Sequence, residues 1–353
     1  MPADRARLLI RQAATFALAA SGGFVAARLG VPLAWMVGAM VAVAGAALAG
    51  ARVAAPEVVR PAALIVLGTG LGQGFTPPVL AAVAASLPAM VAAGVGTILA
   101  GAIASRATAR IGAIDSQTAY YASVPGGVVV MAVLAARAGL PVGVVTLTQT
   151  LRMMLVVLIY PPLVVAFVER GRDAFSLPSL AVVWPLLPLL LALASAGALL
   201  LRWAGLANPW MMGPVLVSLA LAMTGEPLSG LPAPLVDLAQ LLLGWTLGTR
   251  LERGVVLRAP RLALAAVVSM AIVAALCLLL ALAIVGVFRL PFPPVLLGTA
   301  PGGMPELAIT AKVLDLGAPL VLAFHLVRVL LCTLLVPPVW RLYQRAMKGR
   351  ASR

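Results

Sequence analysis

Apolar runs of about twenty residues recur from one end of this chain to the other, and they constrain its fold more than any other feature. Leu8–Ala27, Leu33–Gly50, Leu80–Ala104, Pro141–Val168 and Leu262–Phe288 are the clearest. A helix needs roughly 20 apolar residues to cross the hydrocarbon core of a bilayer. Aromatics are 5% of the chain and the runs are made of Leu, Ala and Val, which suits helices rather than the alternating strands of an outer-membrane barrel. Charged residues are 10% of the 353 and the mean hydropathy is +1.12, whereas a soluble domain carries roughly 25% charge. Little is left to make a water-facing surface, so a soluble catalytic domain is excluded. The expectation is an all-α polytopic membrane protein whose first partner is the lipid bilayer.

The net charge of +15 is nearly all Arg, with Lys312 and Lys348 the only lysines. In a soluble domain such a balance suggests nucleic acid. Between apolar spans, basic residues instead orient the helices, and no nucleic-acid partner is expected. Cys277 and Cys332 lie inside apolar runs and read as small buried residues. Asp4, Arg5, Arg7 and Arg11 precede the first run as in a signal peptide, but the spans that follow favour an uncleaved first helix.

The chain is duplicated. Pro125-Gly126-Gly127 recurs 176 residues later as Pro301-Gly302-Gly303. At that same shift Arg152 meets Arg328, Pro161-Pro162 meets Pro337-Pro338, and Gly68, Leu71 and Gly72 meet Gly244, Leu247 and Gly248. Trp35-Met36 with Gly38 returns as Trp210-Met211 with Gly213, at a shift of 175. The seam is the polar stretch Glu169–Ser179, which divides a first membrane repeat, 1–170, from a second, 171–353. Each half has six apolar segments: 8–27, 33–50, 58–75, 79–104, 118–139 and 141–168, then 180–201, 209–224, 232–249, 262–288, 291–314 and 316–342. The fifth of each is interrupted by Pro-Gly-Gly, which frees the backbone and removes a donor.

Loop charge argues that the repeats are inverted. In the first half the loop after segment three is Thr76-Pro77-Pro78, uncharged, and the next loop carries Arg106 and Arg110. In the second half the earlier loop carries Arg250, Arg253, Arg258 and Arg261 and the later one only Arg289. Inversion needs an odd number of crossings per half. Five spans plus one broken or re-entrant Pro-Gly-Gly segment in each half place 18 of the 25 basic residues inside and five outside; twelve full spans give 15 and eight. Both termini are then cytoplasmic, in a bacterial inner membrane. The sequence leaves a homodimer open.

Four features could carry chemistry. The two Pro-Gly-Gly segments (Pro125, Gly126, Gly127; Pro301, Gly302, Gly303) would expose free backbone groups at membrane depth, where such groups bind ions and substrates or, alternatively, only kink a helix. Arg152 and Arg328 lie mid-segment, where a charge is costly and marks a site or a structural partner for the broken segments. Gln149 and His325 each stand one helical turn before an arginine, on its face. Glu306, three residues after Gly303, is a candidate for ion coupling or for neutralising Arg328; its counterpart is Val130. Lys312 and Asp315 read as solvated at the outer rim. No cofactor, metal or catalytic group is expected: His325 is the only histidine, and no phosphate-binding loop occurs.

The paired Trp-Met-x-Gly and Pro-Gly-Gly signatures, with Glu306 after the second, resemble the bacterial membrane AbrB family over nearly the whole chain. Family members bear the label of a regulator of gene expression or of an ammonia monooxygenase. A monooxygenase would need several His or carboxylate ligands, which one histidine cannot supply. The broken, duplicated segments are similar to the cation-antiporter, bile-acid and glutamate-symporter group. Val130 departs from the acidic residue that the resemblance implies. The lead reading is a secondary transporter that moves a small organic anion or related metabolite by alternating access, coupled to an ion. The alternative is a membrane-embedded regulatory or sensor component, disfavoured by the lack of a soluble output surface; an enzyme is third.

Overall fold

The computed structural model describes residues 2–167, 180–206, 208–225, 228–251, 253 and 259–351. The seam Glu169–Ser179 and half of the Arg250–Arg261 loop lie outside them. Among the described residues every regular element is a helix: α1 Pro2–Arg28, α2 Ala34–Ala49, α3 Val59–Gly72, α4 Pro77–Ala85, α5 Leu87–Gly112, α6 Ser116–Ser123, α7 Val128–Arg137, α8 Val142–Phe167, α9 Leu187–Trp203, α10 Pro209–Met223, α11 Ala233–Gly248, α12 Pro260–Phe288, α13 Phe292–Thr299, α14 Met304–Val313 and α15 Ala318–Ala351.

Five of these, α1, α5, α8, α12 and α15, are long and apolar enough to cross a bilayer, and the sharply bent pair α3–α4 makes a sixth if counted as one span. Such helices define a multi-pass membrane protein. On α12 the apolar side chains Leu279, Leu282 and Val287 are more than half exposed, as a face turned to lipid requires. Ten spans were expected, and the other apolar helices are shorter than these. α2, α9, α10 and α11 have 15 to 17 residues, about 24 Å at 1.5 Å per residue. Apolar run 79–104 is also two helices: Pro88 sits in the first turn of α5, where it has no donor to lose, and α4 ends before it.

The two halves repeat each other's backbone turns more closely than their sequences match. Gly30, Leu33 and Gly50 have positive φ, and so do Gly205, Asn208 and Gly225, 175 residues on. Ala113 and Gly139 have positive φ, and so do Arg289 and Asp315, 176 residues on. For Leu33, Ala113, Asn208, Arg289 and Asp315 this is a costly conformation for a side-chain-bearing residue, kept at equivalent places in both halves.

The chain folds into two compact units, and each takes residues from both halves, cutting across the 1–170 and 171–353 division. The first comprises residues 1–82, 158–255 and 308–319. Within it α2 packs on α11 and α10 on α3, so each half's second helix meets the other half's third. Glycines make the approach possible. A Cβ on Gly68 would stand 2.7 Å from the Met211 carbonyl oxygen, and one on Gly244 would stand 2.2 Å from that of Met36. Small residues let helix backbones touch in this way in membranes. Trp245 closes one side, its indole N–H donating to the Ala54 carbonyl at 3.1 Å.

The second unit comprises residues 83–157, 256–307 and 320–353. It is built on α5 against α12 and holds both Pro-Gly-Gly breaks. Its aromatic core is Tyr120 stacked on Trp340 at 5.4 Å, with the Tyr120 hydroxyl donating to the Val336 carbonyl.

Candidate functional site

Both interrupted segments are broken helices. α6 stops at Ser123, the chain runs without helix through residues 124–127, and α7 begins at Val128; α13 stops at Thr299, and α14 begins at Met304 after residues 300–303. Asp115 starts α6 by accepting from the Thr118 amide at 2.8 Å, an N-cap. Pro125, Gly126, Pro301 and Gly302 are buried. Gly127 has φ 89 and ψ 144, a region that essentially only glycine occupies. At Gly303 the reason for glycine is space, since a Cβ there would stand 2.1 Å from Glu306 Oε2.

A helix that stops inside a membrane leaves carbonyls without partners, and here side chains supply them. Arg152, on α8 and 4% exposed, donates through Nε to the Pro301 carbonyl at 2.9 Å. Its Nη1 reaches the carbonyls of Ser123 at 3.3 Å and Val124 at 3.4 Å, and its Nη2 donates to Gln149 Oε1 at 2.6 Å. Gln149, fully buried, turns its amide nitrogen to the carbonyls of Tyr121, Ala122 and Val124. Arg328, on α15, donates to Ala300 at 2.6 Å and to Gly302 at 2.8 Å. The carbonyls of Ala300, Pro301 and Gly302 thus all accept from arginine, two from Arg328 and one from Arg152 across the sequence halves.

The expected pairs therefore divide. Gln149 and Arg152 form theirs. His325 and Arg328 share a helix face but do not bond: the imidazole lies against the Leu297 backbone with neither nitrogen in hydrogen-bonding geometry. Arg328 turns instead to the carbonyls of the break. The symmetry still shows, because Gln149 meets the Tyr121 backbone and His325 that of Leu297, residues 176 apart.

Glu306 is 1% exposed and lies in the first turn of α14 with its carboxyl bent back over Gly303. An acid there complements the positive end of the helix dipole. Its counterpart Val130 leaves the first turn of α7 without one. Lys312 and Asp315 are exposed, in line with the rim positions expected of them, and the Lys312 ammonium also donates to the Gly70 carbonyl of α3, reaching the backbone because Gly70 has no side chain. Hydroxyls at the helix ends were not anticipated. Ser123 joins Thr108 at 2.8 Å and Ser269 at 3.2 Å, and Thr299 donates to the Cys277 carbonyl at 3.3 Å. A hydroxyl two residues before each Pro-Gly-Gly was the available signal. Among the described residues no three His, Cys, Asp or Glu side chains converge as metal ligands would.

Paired broken helices inside a multi-pass membrane protein, their carbonyls held by buried arginines, define the class. The family profile described as "Transition state regulatory protein AbrB" matches residues 35–344, and the chain belongs to the AbrB family. It is 26% identical over 350 residues to "Uncharacterized protein YhjN" of Bacillus subtilis (strain 168), covering 92% of this chain and 91% of that one. It is 27% identical over 323 residues to "Putative regulator AbrB" of Escherichia coli (strain K12), covering 90% and 92%. No solved structure matches it.

Proposed function

We propose that the protein is a secondary transporter of a small organic anion, built as two inverted repeats in the bacterial inner membrane with both termini cytoplasmic. The observation that carries this reading is Arg152. It is buried, and each of its hydrogen bonds goes to a neutral acceptor, a carbonyl or the Gln149 amide. A cation in an apolar interior without a counter-charge is costly, and a substrate carboxylate relieves that cost. The empty first turn of α7 points the same way. In the second half Glu306 serves the positive end of α14; in the first, where Val130 stands instead, the anion supplies the negative group. Gln149, Arg328 and His325 complete the site with the Pro-Gly-Gly backbone, and Glu306 is the ion-coupling group. The matched turns and the reciprocal packing of α2 on α11 and α10 on α3 support a duplicated scaffold; the swapped loop charge supports its inversion.

A second reading, a membrane-embedded regulator that binds a ligand without moving it, is favoured by the family description and by the name of the Escherichia coli relative. One experiment separates them. The purified protein is screened for thermal stabilisation by a panel of mono-, di- and tricarboxylates, and each hit is tested for uptake into proteoliposomes under a proton or sodium gradient. A stabilising carboxylate with saturable, gradient-driven uptake is the expected result. Stabilisation without flux favours the regulator, and no stabilisation by any anion overturns the anion site.

A further inference from the structure

We infer that the first compact unit carries a second anion site, for a phosphate group, separate from the buried arginines. An open cavity of about 440 Å³ lies among the N-terminal part of α1, the end of α2 and the residues after it, and the end of α11. Arg11, Arg52 and Arg253 line it with Thr249, Gly50 and Ala51, and among the described residues no carboxylate does. Three arginines with no carboxylate among them give the hollow a positive potential, which favours an anion.

One of the three has a structural partner. Arg253 Nη1 donates to the Ala49 carbonyl at 3.2 Å, at the negative end of α2. Gly50 allows it, since a Cβ there would stand 2.5 Å from that nitrogen. This fixes the fork of Arg253 at the cavity wall. Arg11, about one turn into the apolar part of α1, and Arg52, just after α2, have no such use. Arginine forks match phosphate oxygens with paired hydrogen bonds, and a hollow of this size holds a phosphate with a small group attached. Residues 11, 52 and 253 come from three chain segments that the charge bias assigns to the cytoplasmic side, where anionic headgroups attract basic pockets. The ligand chemistry is a phosphate mono- or diester, and it has two sources, a lipid headgroup or a free phosphate.

The test is the melting temperature of the full chain in neutral detergent, with phosphatidylglycerol, with phosphatidylcholine or with inorganic phosphate added. Arg11→Gln/Arg52→Gln, Arg52→Gln alone and the control Arg28→Gln, at the other end of α1, are compared with the wild type. An increment from phosphatidylglycerol but not from phosphatidylcholine or inorganic phosphate, weakened about tenfold or more in midpoint concentration by Arg52→Gln, assigns a lipid headgroup. An increment from inorganic phosphate that is lost likewise assigns a free ligand. No increment from either, or one that the Arg52→Gln variant keeps in full, or one that Arg28→Gln loses equally, overturns the site.

Discussion

Arg152 and Pro301 stand 149 residues apart in the chain and are joined by one hydrogen bond of 2.9 Å, from the guanidinium Nε to the proline carbonyl. Through it a side chain of the first half holds the break of the second, while its other end holds the break of its own half. A charge at this depth is tolerated because two interrupted helices need its donors.

Arg152→Lys tests both roles of that side chain. An ammonium cannot span Pro301, Ser123 and Gln149 at once, so at least about 2 kcal/mol of stability goes with the lost charge-assisted bonds. For a carboxylate found to stabilise the wild type, the affinity of the variant also falls, by about tenfold or more. Melting temperature without ligand and affinity by titration are measured on the same preparation. A lowered melting temperature with normal affinity leaves Arg152 structural and removes it from the anion site.

Gly127 and Gly303 occupy the same motif position for different reasons, and alanine separates them. Gly127→Ala meets no atom within 4 Å, yet it must adopt φ 89, which costs about 1–3 kcal/mol. Gly303→Ala strikes the Glu306 carboxyl. Its stability loss should be partly reversed by Glu306→Ala in the double variant, whereas Gly127→Ala gains nothing from that change. Equal non-additivity at both positions in thermal unfolding would refute the distinction.

Gly244→Ala would place a methyl group 2.2 Å from the Met36 carbonyl oxygen and push α2 off α11. A loss of about 1–3 kcal/mol is expected for such overpacking. Gly286→Ala, on the exposed side of α12 with no atom within 4 Å, leaves stability unchanged or raised. Detergent-solubilised melting curves of the two variants should move in opposite directions or by clearly unequal amounts.

Side-specific labelling checks the orientation. Cys277 and Cys332 are buried at 1% and 0% exposure, so single cysteines can be introduced on the natural background. Ala51→Cys and Ser116→Cys should react from the cytoplasmic side with an impermeant maleimide, and Leu29→Cys from the opposite side. Reaction of all three from one side rejects the proposed topology.

What the sequence could show depended on whether the signal was local. The two breaks were legible because Pro and Gly cannot continue a helix, and the Gln149–Arg152 pair because polar groups one turn apart stand out in an apolar run. The start of α5 beside Pro88 carried a signal of its own but was masked by unbroken hydropathy. The reach of Arg152 to Pro301 has no local trace. Nor do the repeated turns at Leu33 and Asn208 or at Ala113 and Arg289, since no residue identity is shared. Arg11, Arg52 and Arg253 read from sequence only as orienting charge, because nothing in their spacing announces that they meet.

The exchanged packing of the first unit has a consequence for biosynthesis. Gly68 and Gly72 of α3 are covered by Met211 and Val215 of α10, which leave the ribosome about 140 residues later. At roughly 5–20 residues per second this glycine face waits on the order of ten to thirty seconds in the bilayer before its partner exists. During that interval it is the surface on which a holding factor, or a second nascent chain, would compete.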